Sequence, residues 1–329
     1  MSDLIDEVQL VLEATAPPLA ELTPRAVALE LRERLSATYE ATVDFEVEGD
    51  LPLSGEEALA VLDSPARVQV GEPGAVRVVE AVVAALDLRG PAASGRIAYR
   101  AVLVPRAWRL SRTVRSRVFL ARSLPSVARA VLAEAGLREG AEVDFRLRRG
   151  ARDPATDLDE PAPADDDFAD YPRRESTVQL EESDLALFQR LLEHEGLTFF
   201  FQHGDAGERL VVVDDNRRFD DLGELPFVPT ETRGRGECVT AIVREHRAIT
   251  DRVELRDYNW RTPQVELTAE ARAEGVRGVG TAALYGDHFK TPDEGARYAR
   301  IRAEERAVEA ETYRGTATAP EIADRKSVV

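Results

Sequence analysis

The sequence predicts a mainly β protein of the α+β class, with a few helices packed beside the strands. Short stretches of alternating apolar residues, separated by Gly and Pro, dominate the first third of the chain and recur after residue 238. Three segments with recognisable helix caps and helical spacing of apolar residues interrupt this pattern. The chain has 329 residues, 43% of them hydrophobic, which is enough for two or three domains with cores of their own.

Antiparallel strands are predicted for most of the segment that ends near Arg112. The apolar alternation is clearest at 68–70, 76–79 and 97–104, and glycines or prolines follow each stretch. A helix of about three turns should come next, because Ser123-Leu124-Pro125 places a proline in a first turn and Gly136 marks an end.

A polar stretch from Asp157 to Asp170 holds seven carboxylates among prolines and alanines. Such a composition is too polar to pack a core, so we expect a mobile loop here. Calcium binding is the functional alternative, but the spacing lacks the one-three-five ligand pattern and central glycine of an EF-hand loop.

A second helix is predicted to begin after Ser183, a good N-cap, with Asp184 complementing the positive end of the helix dipole. Gly196 should end it. One apolar face is expected to be buried, made by Leu185, Phe188, Leu191 and Leu192.

A β-hairpin should follow this helix directly, with strands at 197–202 and 209–213. Gly204, Asp205 and Gly207 supply its turn.

The last third should begin with strands at 239–245 and 252–258, followed by an irregular segment that contains Gly275, Gly278 and Gly280. Thr291-Pro292-Asp293-Glu294 then gives a cap, a proline at the first helical position and a glutamate placed for a capping box. This helix should run to about Glu311. Its sparse apolar stripe is expected to consist of Tyr298, Ile301 and Val308.

The net charge of −18, from 43 basic and 61 acidic residues, disfavours binding to nucleic acid phosphates. The runs Arg112–Arg117 and Arg146–Arg149 are the strongest local basic patches. Both are short and bordered by apolar positions, so a solvated face is the favoured interpretation.

No apolar stretch reaches the roughly 20 residues that cross a bilayer, so no membrane span is expected. The first residues, with Asp3 and Asp6, lack the basic start and apolar middle of a secretory signal, which indicates synthesis in the cytoplasm. A single cysteine, Cys238, cannot form an intramolecular disulfide and is interpreted as a small buried hydrophobe.

Catalytic, cofactor-binding and metal-binding residues are not predicted. A Gly-x-Ser-x-Gly elbow is missing, and the four histidines, at 194, 203, 246 and 288, lack zinc-protease spacing. The segment Gly278–Ala283 imitates a dinucleotide-binding turn, but no hydrophobic strand leads into it, which favours a loop. Paired carboxylates of a cell-wall hydrolase stay open as a distant alternative, whose sign would be a pocket with two close acids of raised pKa.

The Ser183 helix and its hairpin carry a resemblance. The segment Gln179–His203 closely resembles the VgrG family of type VI secretion spike proteins. The matching positions are Glu182, Ser183, Asp184, Leu185, Phe188, Arg190, Leu191, Leu192, Glu193, Glu195, Gly196, Phe199, Phe200, Phe201 and His203.

The resemblance extends over most of the chain. Tyr99–Trp108 looks like the family strand that ends in Pro-x-x-Trp, and 118–136 looks like its following helix. Asp257-Tyr258-Asn259 looks like its Asp-Tyr turn, and Thr291–Arg302 like its closing helix. In the first third the match is limited mainly to 35–47 and 59–70.

This resemblance implies a baseplate hub of two small β-barrel domains with helical elements packed beside them. The implied division is a first barrel at 1–112, an α/β segment at 113–216, and a second barrel with the closing helix at 217–329. Three subunits would form a ring of six barrels, a structural adaptor without enzymatic activity between a sixfold inner tube and a threefold spike. Phe199–Phe201 would then alternate between core and subunit interface, or simply form a core strand.

The implied partners are two further copies of the chain, an Hcp-like inner tube protein, baseplate proteins, and effector cargo carried through the carboxyl-terminal part. The hub would be cytoplasmic before firing and exported by the machine without a signal peptide. A tail hub of a contractile phage or of an extracellular injection particle is the alternative with the same architecture.

The sequence departs from the family pattern at its end, where an oligonucleotide-fold neck and a long triple-stranded β-helix would be expected to follow. Asp324–Val329 matches one reading frame of a common sequencing adapter. We therefore expect that the carboxyl-terminal spike is missing through an unnatural truncation.

Overall fold

The computed structural model describes the chain in segments, and the described residues form two compact units, one ending at residue 220 and one running from 224 to 317. The described segments are 9–14, 17–49, 51–72, 75–148, 163–168, 170–204, 207–220, 224–228 and 238–317. Of these residues 46% lie in strands and 23% in helices, so the mainly β prediction is confirmed.

The first unit begins with a six-stranded antiparallel sheet that is curled into a half-barrel. Its strands are β1 Gln9–Ala14, β2 Arg25–Arg32, β3 Glu40–Val47, β4 Pro65–Glu72, β5 Ala75–Pro91 and β6 Ile97–Val104. They lie in the order β1-β4-β5-β6-β3-β2, and the curl brings the edge strands β1 and β2 close together. Strand β5 is 17 residues long and pairs first with β4 and then with β6. Helix α1, Gly55–Val61, precedes β4 and has a complete capping box at Ser54 and Glu57.

Strict alternation builds the core of this sheet. In β3, residues 41, 43, 45 and 47 are buried while the intervening side chains are not. The rings of Phe45 and Tyr99, opposite each other on β3 and β6, stack with their centroids 5.6 Å apart. The predicted strands at 68–70, 76–79 and 97–104 are thereby confirmed.

The rest of the first unit repeats one strand–helix–strand arrangement, with the first strand and the helix of the two copies offset by about 60 residues. The first copy is β7 Val114–Ser123, α2 Leu124–Glu134 and β8 Val143–Arg146, and the second is β9 Arg173–Ser183, α3 Asp184–Glu195 and β10 Thr198–Gly204. Strand β11, Gly207–Val213, lies between β10 and β8. Strands β7 and β9 pair antiparallel as a two-stranded ribbon, and the two helices pack against each other.

Sequence details of the two copies correspond. Ser123 and Ser183 both cap their helices, and Gly136 and Gly196 both adopt positive φ after them. Both helices are confirmed at the predicted places. This internal repeat was not predicted, although seven of the 24 residues at 114–137 are identical to the residues 60 positions later.

The predicted acidic loop needs a correction. Residues 157–162 and 169 lie outside the described part of the chain, but Phe168 is fully buried and makes an edge contact with Phe145 at 5.5 Å between centroids. Asp166 is also buried, and its carboxylate accepts hydrogen bonds from the N–H and hydroxyl of Ser123. The end of this polar stretch therefore packs into the core, because one aromatic residue and a paired carboxylate outweigh its average composition.

The second unit combines two small sheets with one long helix. Its elements are β12 Val239–His246, β13 Arg252–Asp257, β14 Leu267–Arg272, β15 Thr281–Tyr285, α4 Pro292–Ala310 and β16 Glu311–Ala317. One sheet has the order β14-β13-β15, and β12 pairs with β16. Val253, Leu255, Leu267, Phe289 and Tyr298 form the core between the three-stranded sheet and α4.

Three expectations for this unit need correction. Gly275, Gly278 and Gly280 do lie outside the strands, but the unpredicted strands β14 and β15 flank them, so Thr281–Ala283 of the supposed dinucleotide-like turn is strand. Val308 is 73% exposed, and small residues such as Ala299 and Ala303 line the buried face of α4 instead. Glu294 does not complete a capping box, since its carboxylate accepts from the N–H of Lys290, although Thr291 does cap the helix.

Among the described residues, no helix combines the length and the apolar character that crossing a membrane requires.

Candidate functional site

The segment from Glu182 to His203 forms a strand–helix–strand unit at the centre of the first unit. It comprises the end of β9, helix α3 and strand β10. The Ser183 hydroxyl accepts from the N–H of Ala186 at 3.1 Å and caps α3. Gly196, with φ of 70°, ends the helix in a left-handed conformation that favours glycine, so the chain reverses sharply into β10.

Asp184 is the electrostatic centre of this segment. Its side chain is 2% exposed and accepts hydrogen bonds from Arg115 at 2.6 Å, Arg117 at 3.3 Å and the amide of Gln179 at 2.9 Å. Both arginines also contact Glu134 at the end of α2. Because these residues belong to β7, β9, α2 and α3, the network joins the two strand–helix copies, and the role goes well beyond the predicted interaction with the helix dipole.

Arg190 ties the helix back to the strand that precedes it. Its guanidinium lies 2.5 Å from the Glu182 carboxylate and donates to the carbonyl of Val178 at 3.0 Å. Glu182 at the end of β9 and Arg190 in α3 thus form an ion pair that spans the helix N-terminus at Ser183. Glu195, near the other end of α3, is also buried, with its carboxylate 3.9 Å from Arg174.

The apolar residues of α3 face the main core. Phe188, Leu191 and Leu192 are fully buried, and Phe188 contacts Phe199 with ring centroids 5.1 Å apart. Leu185 is only half-buried, whereas Leu187, which the helical pattern missed, is fully buried. The buried stripe is therefore rotated by part of a turn from the predicted one.

The three phenylalanines of β10 are buried on both faces of the strand. Phe199 and Phe201 belong to the main core, while Phe200 belongs to a small cluster with Val211, Val213 and Phe219. Phe200 stacks on Phe219 at 5.0 Å and is 6% exposed. The structure therefore places all three rings in core positions within a single chain, which is the simpler of the two sequence expectations.

His203 attaches the hairpin of β10 and β11 to the curled sheet. Its Nδ1 accepts the main-chain N–H of Glu80 at 3.2 Å. Strand β5 pairs with β6 only from Val82 onward, so at Glu80 one edge of β5 is open and needs other partners. The imidazole fills that need, and burial together with the nearby charge of Arg77 lowers the pKa of His203 to about 4, which keeps the ring neutral.

Tyr39 and Glu208 complete this contact, and the sequence analysis missed both. The Tyr39 hydroxyl contacts the main-chain carbonyl of Glu80 and Oε2 of Glu208, and Oε1 of Glu208 accepts the N–H of Arg106 at 3.2 Å. Burial raises the pKa of Glu208 to about 7. In the sequence, the one sign of this site is Glu208 itself, an acid that stands just before the valines of strand β11.

The other candidate residues do not converge on a reactive centre. Within the described ranges, no three or more His, Cys, Asp or Glu side chains are arranged to hold a metal ion. Cys238 is buried, as expected. Asp165 and Asp167 of the acidic stretch bind Arg122 and Arg129, so these carboxylates are engaged by arginines.

The two basic runs are also engaged. Arg115 and Arg117 serve the Asp184 network, and Arg146 and Arg148 bind Asp144 and Asp214. A cavity of about 190 Å³ lies beside Tyr39, Phe200 and Phe201. Glu208, the acid with the raised pKa, does not line this cavity, which argues against its use as a hydrolase acid.

Comparison with known families gives a match over residues 32–324 to the phage tail baseplate hub (GPD) family. Two similar proteins are type VI secretion system spike proteins of Pseudomonas aeruginosa. VgrG4b is 30% identical over 187 residues, which are 56% of this chain and 20% of that protein. VgrG1b is 24% identical over 298 residues, which are 87% of this chain and 36% of that protein. The chain thus spans between a fifth and about a third of the length of these relatives.

Solved structures show the same fold. The E. coli c3393 protein, a component of the type VI secretion system with structural similarity to the T4 bacteriophage tail proteins gp27 and gp5, gives a TM-score of 0.64 at 18% identity, covering 95% of this chain and 64% of that one. The 43 kDa tail protein of prophage MuSo2 from Shewanella oneidensis gives a TM-score of 0.58 at 13% identity. The match covers 98% of this chain and 86% of the tail protein. Since the family match includes most of both compact units, the chain belongs to the phage tail baseplate hub family.

Proposed function

We propose that the chain is the hub region of a VgrG-type spike of a type VI secretion system. The observation that carries this proposal is the hub-family match over 32–324, together with spike-protein relatives that cover up to 87% of the chain. In this role three copies form a ring that adapts the sixfold inner tube to the threefold spike, so the chain acts by shape and contact and not by catalysis.

Exposed apolar surface supports a role in assembly. The outward face of the β7–β9 ribbon carries aliphatic side chains that are 50–70% exposed: Val114, Val118, Leu120, Val178 and Leu180. In the second unit, Tyr258, Trp260 and Tyr285 are 60–74% exposed. Grouped apolar residues of this kind are typical of surfaces that a protein partner covers.

The proposed partners follow from the hub role. They are two further copies of the chain, an Hcp-like inner tube protein, baseplate proteins, and effector cargo bound through the spike region. We also propose the division into a first barrel at 1–112, an α/β segment at 113–216 and a second barrel with its closing helix at 217–329. The protein would be made in the cytoplasm and exported by the machine.

A tail hub of a contractile phage or phage-like particle is the second candidate. The match to the MuSo2 prophage tail protein favours it, because that protein covers 98% of this chain and is itself covered to 86%. Neighbouring genes for a sheath, a tube and an unfoldase would favour secretion, whereas capsid and tail-fibre genes would favour a phage.

Light scattering with the purified chain, alone and with the tube protein from the same genome, tests the hub role. A species of three times the 36.3 kDa chain mass that binds tube rings is the expected result. The same measurement on a version extended through the spike region is the decisive control, because the spike strengthens the threefold contact. A monomeric extended version that ignores the tube would contradict the proposal.

A further inference from the structure

A buried hydrogen-bonded cluster surrounds the hydroxyl of Tyr39, which is 2% exposed. The hydroxyl contacts the carbonyl oxygen of Glu80 on β5 and Oε2 of Glu208 on β11. The remaining carboxyl oxygen of Glu208 accepts the N–H of Arg106. This cluster therefore joins the curled sheet, the segment after β6 and the β10–β11 hairpin.

The number of protons in the cluster fixes the state of Glu208. A tyrosine hydroxyl has one proton to donate, and the Glu80 carbonyl can only accept. Both contacts of Tyr39 are hydrogen bonds only if the hydroxyl donates to Glu80 and a protonated Glu208 donates to the hydroxyl oxygen. An ionised Glu208 would leave two acceptors competing for one proton.

The surroundings of Glu208 also disfavour its charged form. Among the described residues, no cation lies within ion-pair distance of its carboxyl group. Burial is the largest effect and raises the pKa of Glu208, whereas the hydrogen bonds from Tyr39 and the Arg106 N–H and the charge of Arg106 favour the ionised form and are outweighed. Arg106 lies 3.8 Å from Glu142, and Arg67 binds the side chain of Glu80 at 2.6 Å. The Glu80 carboxylate adds a like charge nearby, which opposes ionisation of Glu208.

Two further charged groups face the cluster. Arg77 is held by Glu33 at 2.6 Å, so its charge is already compensated. His203 is neutral while its Nδ1 accepts the Glu80 N–H, and its ring lies 5.3 Å from that of Tyr39. Neither group supplies a free positive charge that would hold Glu208 as a carboxylate.

We propose that Glu208 is a proton-dependent latch. Its acid form donates to the Tyr39 hydroxyl, which then donates to the Glu80 carbonyl, so that Tyr39 joins the β10–β11 hairpin to the curled sheet; its ionised form takes the Tyr39 proton and leaves that carbonyl of β5 without this donor. This latch is a property of the fold and does not depend on the proposed hub function. It makes the attachment of the hairpin tighter under mildly acidic conditions than under mildly alkaline ones.

The direction of the effect follows from linkage. Glu208 titrates near pH 7 in the folded chain, whereas an unfolded glutamate titrates near 4.5. The folded state therefore binds the proton more tightly, and the stability that Glu208 provides is lost as the pH rises from about 4.5 to 7. Above pH 7 the ionised carboxylate is buried, and no cation in the described part of the chain lies within ion-pair distance of it.

The test compares unfolding of the wild-type chain and the Glu208→Gln variant between pH 5 and pH 8.5. The Gln amide can donate to Tyr39 and accept from Arg106, and it does not titrate. We expect the ratio of the unfolding constants, wild type to variant, to rise on the order of 50- to 100-fold over this range. Glu40→Gln, an exposed acid beside Tyr39, is the matched control and should change this ratio little.

If the variant folds poorly, NMR titration of the ¹³C-labelled Glu208 carboxyl in the wild-type chain measures the pKa of this group directly. A midpoint near pH 7 is the expected result. A midpoint below about pH 5.5, or a ratio of unfolding constants that stays within threefold, would overturn the latch. Neither result would bear on trimer formation or tube binding, so the hub function is judged separately.

Discussion

Nδ1 of His203 accepts the main-chain N–H of Glu80 at 3.2 Å, between residues 123 positions apart in sequence. This bond satisfies a donor at the open edge of β5, and Tyr39 satisfies the carbonyl of the same residue. The histidine that carries part of the family resemblance thus has a definite physical task, which is to attach the hairpin to the curled sheet.

His203→Phe should lower the free energy of unfolding by about 1–3 kcal/mol, because it keeps the ring but leaves the Glu80 N–H without an acceptor. Urea denaturation monitored by circular dichroism measures this loss. His246→Phe, at an exposed position on β12, is the control and should change stability by less than about 0.5 kcal/mol. Equal effects of the two variants would contradict the assigned role.

The ring of His203 should titrate near pH 4, well below the usual 6.5 of histidine, because burial and Arg77 oppose its protonation. The unfolded chain binds this proton first as the pH falls. The stability that His203 provides is therefore complete above pH 6.5 and lost as the pH falls toward 4. NMR titration of the labelled ring measures the midpoint, and a midpoint at or above 6 would show the ring to be accessible.

Asp184→Asn should destabilise the chain by about 2–4 kcal/mol, because Arg115 and Arg117 lose a buried counter-charge. Chemical denaturation gives the value. Glu134→Gln removes a half-exposed partner of the same two arginines and should cost less than about 1 kcal/mol. A larger cost at Glu134 than at Asp184 would show that the network is centred on α2.

Gly295→Ala should destabilise the second unit by about 1–3 kcal/mol, despite the better helix propensity of alanine. A Cβ at this position would lie 2.7 Å from the ring of Phe289 and 3.1 Å from the Cβ of Ala269. Gly55→Ala, in α1, meets no atom within 4 Å and should be neutral or stabilising. Thermal unfolding of both variants measures this difference in stability. Equal stability of the two variants would show that α4 can shift away from Phe289.

Val118→Glu combined with Leu180→Lys should reduce self-association of the isolated chain at high concentration, since both residues lie on the exposed aliphatic face of the β7–β9 ribbon. Stability should change by less than about 1 kcal/mol because neither side chain is buried. Sedimentation velocity measures the association. Val308→Lys, at an isolated exposed valine on α4, is the control and should leave association unchanged.

Local signals in the sequence determined most of the secondary structure. Ser183 and Thr291 cap helices as predicted, and the helix after Ser123 forms where predicted, because a cap or a first-turn proline involves only neighbouring residues. The left-handed conformation at Gly196 and the alternation along β3 and β6 are equally local. The resemblance of the Gln179–His203 segment to a spike-protein family likewise rests on local sequence alone.

Only the tertiary structure decided which of these residues act together. Tyr39, Glu80, His203 and Glu208 are scattered over 170 positions of sequence, and no local pattern relates them. The burial of Leu187 and Phe168 and the exposure of Val308 likewise depend on which element covers each face. Hydrogen-bond partners and burial are fixed by packing between distant segments, so periodicity and capping determine the elements but leave their contacts open.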